Sequence, residues 1–363
     1  MRKIRVMLYI NTLMRGGAER VITLLSEQFA KAGHDVSLVT SFSCSQEYVV
    51  YEKVKRYNLE NGKKLQSRIV RNCSRIIKLR NLCNSLKPDI LISFMQEPSF
   101  RAILATVGLP VKMIVSVRND PNKEYGGAIG RIIGKYILPM ADGCVFQTEQ
   151  AKTWFPKRLQ DKAAVIMNPV DDAFFGVKRE WPQHVVTVGK LGPQKNHAML
   201  IEAFSMIASK YPDQKLLIYG AGEYEEMLRQ QIQNLGLEDR VLLKGRTENV
   251  QDVLATAKIF SLPSDYEGMP NALMEALAAG VPSVSTDCPC GGPRTLIQDG
   301  ENGLLVPVGD AKAMADAMDR LLGDAIAAER MGLKAKQSAE LYHPEKIFCE
   351  WEEYINRVAF HQE

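Results

Sequence analysis

Short apolar runs alternate with segments of helical periodicity along this whole chain, and that alternation restricts its fold more than any other feature. A first series comprises "KIRVMLYI", "DVSLVTSF", "ILISF", "KMIVSV", "GCVFQT" and "AAVIMN". Between the first two runs, "AERVITLLSEQFAKAG" repeats apolar residues at helical spacing and stops at Gly33, where helices commonly stop. A second series starts near residue 184 with "HVVTVGKL" and continues through "QKLLIYG", "VLLKG", "IFSLP", "PSVST" and "GLLVPV". Strand and helix in alternation imply βαβ units around a parallel sheet. The expected class is therefore α/β, with two doubly wound Rossmann-like domains in tandem. A length of 363 residues suits two domains, each with its own core. The stretch "NPVDDAFFGVKREWPQ", residues 168–183, has Pro, Asp and Gly but no periodicity and reads as the linker. Domains of 1–170 and 171–344 follow. Sheets of this kind bind ligands at the carboxyl ends of their strands, so two facing domains would form a cleft.

Several classes fall away on composition. The best candidate for a membrane span, "AILATVGLPVKMIVSV", is interrupted by Pro110 and Lys112. The opening "MRKIRVMLYINTLMRGG" has a basic head, but its apolar run is too short for a signal peptide and reads as a first strand. Seven cysteines without regular spacing fit a reduced, cytoplasmic chain. Cys288-Pro-Cys290 has no second ligand pair and reads as loop cysteine rather than a metal site. Charge is unevenly spread: residues 1–180 carry a net +13 and residues 181–363 a net −9. A basic half suggests an anionic partner there.

Candidate site residues lie after the strands. Gly16 and Gly17 in "LMRGGAER" allow close backbone approach to a ligand before a helix N-terminus. They do not form Gly-x-Gly-x-x-Gly, so a dehydrogenase-type dinucleotide site is not supported. Gly220 and Gly222 read as a tight strand-to-helix turn. In "VGKLGPQKN", Lys190 and Lys195 flank a Gly-Pro turn, and two ammonium groups in one loop suit a diphosphate. Taken alone, they read more readily as solvated surface lysines.

The segment "IFSLPSDYEGMPNALMEALAAG" reads as strand, loop and helix, the helix starting near Asn271. Gly268 removes side-chain bulk and Pro270 fixes the turn. The N–H groups of Asn271, Ala272 and Leu273 then form an anion seat at the positive end of the helix dipole. Glu275 lies one turn further on, where a carboxylate suits two ribose hydroxyls. Glu267 lies before the turn, level with a sugar beyond the phosphates.

With these residues the chain resembles the retaining nucleotide-sugar glycosyltransferases of family 4, which have the GT-B fold. The resemblance rests on "GGAE" at 16–19, Lys190 and Lys195 in their loop, the E-x7-E pair Glu267 and Glu275, "STDCPCGGP" at 285–293 and "DGENGLLVPVGD" at 299–310. It implies that Lys190 and Lys195 hold the donor diphosphate, Glu267 the transferred sugar and Glu275 the ribose. It adds Gly245 and Met269 to the donor set. Two departures stand out. The first basic residue is more often Arg, and Lys190 lacks the bidentate fork. Many members also place a His near the sugar, where this chain has Arg118 in "VSVRNDP".

The resemblance further implies a hexose or N-acetylhexosamine (GalNAc, GlcNAc, Glc or Gal) moved from a UDP-sugar to an undecaprenyl-diphosphate-linked glycan. No Asp-x-Asp occurs, so neither metal nor other cofactor is expected, and the lysines carry the leaving charge. Nucleic acid is not an expected partner. An epimerase or sugar phosphorylase on the same scaffold, or a non-catalytic nucleotide-sugar sensor, are the alternatives. The segment "HPEKIFCEWEEYINRVAF" has an apolar stripe of Phe348, Trp351, Ile355 and Val358, and as helix 345–363 is expected to join the first domain, as is typical of the fold.

In "KKLQSRIVRNCSRIIKLRNLCNSLKPD", Arg68, Arg71, Arg75 and Lys78 recur at helical spacing. Similar transferases grip the acceptor's lipid pyrophosphate with a basic helix. The stripe and Arg118 are therefore the expected acceptor residues, the stripe facing solvent while Ile69, Cys73, Ile76, Ile77 and Cys83 dock the helix. "IGRIIGKYIL", residues 129–138, is expected to touch an anionic membrane surface, placing the protein at the inner face of the plasma membrane.

Overall fold

The computed structural model describes residues 3–14, 16–60, 67–179 and 183–360. The chain divides into two compact units. Unit 1 runs to Pro169 and includes the C-terminal segment from Glu345, and unit 2 is Val170–Pro344.

Unit 1 is built on β1 (Arg5–Ile10), β2 (Asp35–Thr40), β3 (Lys55–Asn58), β4 (Ile90–Phe94), β5 (Lys112–Ser116), β6 (Gly143–Phe146) and β7 (Ala163–Val165). They form one sheet in the order β3-β2-β1-β4-β5-β6-β7, with every pairing parallel. Unit 2 is built on β8 (His184–Val188), β9 (Leu216–Tyr219), β10 (Val241–Gly245), β11 (Ala257–Leu262), β12 (Ser283–Thr286) and β13 (Leu304–Val306). Their order is β10-β9-β8-β11-β12-β13, again all parallel. Both orders are Rossmann-like, and the chain reverses direction across each sheet between its first and fourth strands.

Helices cover both faces of such sheets, so the inner strands are apolar throughout rather than alternating. Every residue of Ile90–Phe94 is buried. In unit 2, Val185, Leu216, Ile218 and Val284 pack with Leu200 and Phe204 of the His197–Ile207 helix and with Met314 and Met318 of Ala311–Gly323. β3, "KRYN", has no apolar run and is absent from the sequence expectation. It sits at the sheet edge beside β2, half exposed, where Lys55 pairs with Asp35 at 2.8 Å.

The Pro344–Phe360 helix belongs to unit 1 from Glu345 onward. Trp351 is fully buried and stacks on Phe94 with ring centroids 6.2 Å apart. Phe348 meets Phe29 at 5.4 Å. The Cys144 N–H donates to the Tyr354 hydroxyl at 2.7 Å, and that hydroxyl lies 2.7 Å from the Lys162 carbonyl. The expected helix residues 361–363, linker residues 180–182 and residues 63–66 of the basic segment lie outside the described residues.

Candidate active site

In unit 2 the switch point falls between β8 and β11. The loop after β8 carries Lys190–Asn196 and the loop after β11 carries Pro263–Pro270. Backbone and side chains tie the two loops together. Asp265 N–H donates to the Gln194 carbonyl at 2.9 Å, and Asn196 Nδ2 to Asp265 Oδ1 at 2.7 Å. Asn196 adopts φ 40° and caps the His197–Ile207 helix, its Oδ1 accepting from Met199 N–H. This brace brings Lys195 Nζ to 2.5 Å from Glu267 Oε1. Ser264 Oγ lies 2.7 Å from the same oxygen, and Gln194 Nε2 donates to Glu267 Oε2 at 3.3 Å and to the Tyr266 carbonyl at 3.0 Å. Glu267 is thus a buried carboxylate with an ammonium, a hydroxyl and an amide around it. Gln194, Ser264, Asp265 and Asn196 were not anticipated. Only Asn196 left a sequence signal, an Asn directly before a helical apolar pattern.

Glycines let these loops approach one another. A Cβ on Gly220 would stand 1.8 Å from the Gly189 carbonyl oxygen, and one on Gly222 2.1 Å from that of Leu191. The expected turn therefore also packs against the lysine loop. Gly245, with φ 69°, ends β10 and accepts from Gly220 N–H at 2.8 Å. Gly292 lies equally close to Gly268, where a Cβ would meet the Gly268 oxygen at 1.8 Å.

The Asn271–Ala278 helix begins where expected, with Pro270 at its N-cap and Met269 buried before it. Asn271 and Ala272 form its first half-buried positions, and Glu275 is buried on its inner face. The expectation that Leu273 offers its N–H to an anion is corrected. The turn is tight enough that both Leu273 and Met274 N–H donate to the Pro270 carbonyl at 3.1 Å. Lys190 does not join Lys195. Its side chain is 70% exposed and its Nζ lies 3.8 Å from Glu223 Oε2.

Cys288 donates to the Ser264 carbonyl at 3.0 Å, and burial pushes its thiol up to about 12, so it is unreactive as a nucleophile. Among the described residues no group of three His, Cys, Asp or Glu side chains is placed to hold a metal ion. His197, beside Lys195, is pushed down to about 3 by burial and then by that lysine's charge, so it is neutral.

Unit 1 presents different groups at its strand ends. Gly16 precedes the Gly17–Lys31 helix, and Glu19 folds back over it, its carboxylate 2.4 Å from where a Cβ on Gly16 would stand. Burial raises the Glu19 carboxyl. The anion seat expected at Gly16 and Gly17 is thus approached by the chain's own acid.

The basic stripe on the Arg68–Leu86 helix needs correction. Arg75 is only 6% exposed, is paired with Glu60 at 2.7 Å and lies over the Phe42 ring. Lys78 Nζ donates to the Leu59 carbonyl at 2.7 Å, and Arg68 pairs with Glu97 at 2.7 Å. Arg71 is half-buried without an ion pair among the described residues. Outward instead point Ile69, Ile77 and Cys73, while Leu79 and Cys83 dock the helix. Glu97 holds Arg68, while Glu60 and the Leu59 carbonyl draw Arg75 and Lys78 towards a different segment.

Arg118 follows β5 and is buried. Its Nη1 donates to Asn168 Oδ1 at 2.7 Å, and the guanidinium lies 3.9 Å from the Phe94 ring centroid. The segment 129–140 leaves Ile129, Ile132, Tyr136 and Met140 exposed beside exposed Arg131 and Lys135. No helix of the described residues is long and apolar enough to cross a membrane.

Residues 171–338 match the family described as Glycosyl transferases group 1, and residues 15–174 match Glycosyltransferase Family 4. An uncharacterized glycosyltransferase of Haemophilus influenzae is 31% identical over 343 residues, covering 93% of this chain and 95% of the relative. This chain is a family 4 glycosyltransferase.

The transferase is also similar to a Campylobacter jejuni protein named GalNAc-alpha-(1->4)-GalNAc-alpha-(1->3)-diNAcBac-PP-undecaprenol alpha-1,4-N-acetyl-D-galactosaminyltransferase. That protein is 27% identical over 361 residues, covering 98% of this chain and 99% of its own length. The transferase spans only 30% of an exopolysaccharide phosphotransferase of Streptomyces coelicolor, to which it is 30% identical over 290 residues, 78% of this chain. In fold it is similar to Anabaena Alr3699/HepE, solved in complex with UDP and glucose. The TM-score is 0.82 at 16% identity, with 97% of this chain and 99% of the other covered. Its two Rossmann-like units are those of the GT-B fold.

Proposed function

We propose that the transferase moves a hexose or N-acetylhexosamine from a UDP-sugar to a sugar hydroxyl of an undecaprenyl-diphosphate-linked glycan, with retention and without a metal. The observation that carries this reading is the Lys195–Glu267 pair at the unit 2 switch point. On donor binding, Lys195 leaves Glu267 for the diphosphate, and Glu267 becomes available to the hydroxyls of the transferred sugar. Lys190 swings in from solvent as the second cation. The backbone of Gly268–Ala272 seats the phosphates, Glu275 takes the ribose, and Gly16, Gly17, Gly245 and Met269 complete the donor set. The C1–O bond to the diphosphate breaks, the acceptor oxygen bonds C1 on the same face, and its proton passes to the departing diphosphate. Fixed positive charge at that oxygen stabilises the transition state.

The Campylobacter name supports a polyprenyl-diphosphate acceptor, which Arg68, Arg71 and Arg118 would meet. Ile129, Ile132, Tyr136 and Met140, flanked by Arg131 and Lys135, support contact with an anionic membrane surface at the cytoplasmic face. A panel of nucleotide sugars assayed with undecaprenyl-diphosphate glycans tests the proposal. Product formed only when acceptor is present, with the anomeric configuration of the donor, is expected. Donor turnover without acceptor would favour an epimerase instead.

A further inference from the structure

Three hydrogen-bond donors gather in unit 1 with nothing to accept from them. Arg118 Nε and Nη2 and Trp351 Nε1 are all buried, and none has a partner among the described residues. They share one neighbourhood: the guanidinium carbon lies 5.7 Å from the Trp351 ring centroid and 3.9 Å from that of Phe94. Phe94 and Trp351 are themselves stacked. The one oxygen that serves Arg118, Asn168 Oδ1, also accepts from Gln147 Nε2 at 2.6 Å. No carboxylate pairs with Arg118 among the described residues. Burial lowers the guanidinium only to about 9, so it is charged at neutral pH.

A buried cation without a counter-ion is costly, and buried donors are ordinarily satisfied. Stacking on two aromatic faces offsets part of that cost but accepts no N–H in the guanidinium plane. The place is also marked in the backbone. Met95, directly after β4, has φ 72° and ψ 162°, a strained conformation for a side-chain-bearing residue. Arg118 follows β5, the neighbour of β4, so both lie at the carboxyl end of the sheet, where folds of this type bind ligands. A cluster made only of donors fits a ligand group made only of acceptors.

We propose that Arg118 and Trp351 form an oxyanion site in unit 1 that takes a phosphoryl group of a substrate, the guanidinium supplying the paired N–H groups and the indole a third. This rests on the glycosyltransferase reading only for the identity of the substrates. The phosphoryl group has two possible sources, the donor's diphosphate and the acceptor's.

The test uses no turnover, so it stands apart from success or failure of the proposed reaction. Inorganic pyrophosphate is titrated into the full-length protein by calorimetry and thermal shift, with and without saturating UDP. A response that persists with UDP present assigns the site to the acceptor's diphosphate, and Arg118→Met then weakens it at least about tenfold. A response suppressed by UDP assigns it to the donor's, and Arg118→Met then weakens UDP itself by a similar factor. Trp351→Phe, which keeps the ring but removes the N–H, is expected to weaken the same ligand several-fold. If Arg118→Met does not fold, Arg118→Lys, which keeps charge but loses the fork, takes its place with the same expectation. Pyrophosphate and UDP affinities both within twofold of the parent in Arg118→Met or Arg118→Lys, or no pyrophosphate response in the parent protein, would overturn the proposal. Arg118 would then be a stacked structural cation.

Discussion

The two units share a strand order but treat charge at their strand ends in opposite ways. In unit 2 the buried carboxylate of Glu267 faces the ammonium of Lys195, and neighbouring side chains serve both carboxylate oxygens. In unit 1 Arg118 is buried and Glu124 is half-buried with its Oε2 out of reach of water, and neither is in an ion pair among the described residues. Glu124 Oε1 accepts from Gln96 N–H at 2.7 Å, while Oε2 and the neighbouring Tyr125 hydroxyl have no partner among the described residues. Unit 2 thus pairs charge with charge here, and on the proposed reading a ligand's phosphates would take Lys195 from Glu267. Unit 1 leaves Arg118 donors and a Glu124 oxygen without a partner among the described residues. A common fold fixes where ligands arrive, and the loop side chains decide whether the waiting site is closed or open in charge.

The largest effect should come from breaking the closed pair. Lys195→Ala and Glu267→Ala are each expected to reduce kcat a hundred- to a thousandfold, roughly 3–4 kcal/mol of transition-state energy, while circular dichroism stays unchanged. Near-parental turnover in the double variant would remove the pair from the mechanism.

Next comes the open end of unit 1. Burial pushes Glu124 up to about 7. A carboxyl with a raised folded-state pKa stabilises the fold fully below its unfolded value, near 4.5, and that stability is lost as pH rises through 7. Glu124→Gln mimics the protonated form. Measured by urea unfolding, it should gain on the parent protein across this window, by up to about 3 kcal/mol at pH 8. Parallel pH curves for the two proteins would contradict an uncompensated Glu124.

A smaller change is expected on the solvent side of the same unit. Arg71→Glu should raise the acceptor's KM several-fold and leave the donor's KM unaltered, whereas Ile132→Glu should reduce flotation with anionic vesicles and leave both constants in place. The reverse pattern would exchange the roles of helix and patch. The smallest expected effect is that of a chelator: activity should be the same in EDTA if, as proposed, lysines offset the leaving charge. Loss of activity restored by Mg²⁺ or Mn²⁺ would show otherwise.

Much of the fold was legible because buried parallel strands are written as apolar runs, and Ile90–Phe94 is the clearest case. β3 was not, since an edge strand of Lys, Arg, Tyr and Asn carries no such run. The Glu267 and Glu275 positions stood out by their spacing around a Gly-x-Pro turn. The partners of Glu267 did not, because Gln194 and Ser264 lie in loops where no period ties side chain to surroundings. Arg75 shows a second limit. Helical spacing tells which residues share a side, but which way that side turns depends on Glu60 and Phe42, outside the helix. Arg118 shows a third, since its indole neighbour lies at the far end of the chain.

That last separation has a consequence for how the polypeptide matures. Phe94 and Cys144 are synthesised early, yet their packing partners Trp351 and Tyr354 leave the ribosome only after the whole of unit 2. The nascent N-terminal sheet must wait with an aromatic face uncovered, while unit 2, contiguous in sequence, is free to fold first. The order of completion is therefore inverted relative to the order of synthesis, and the waiting intermediate is the one that chaperones and proteases would meet.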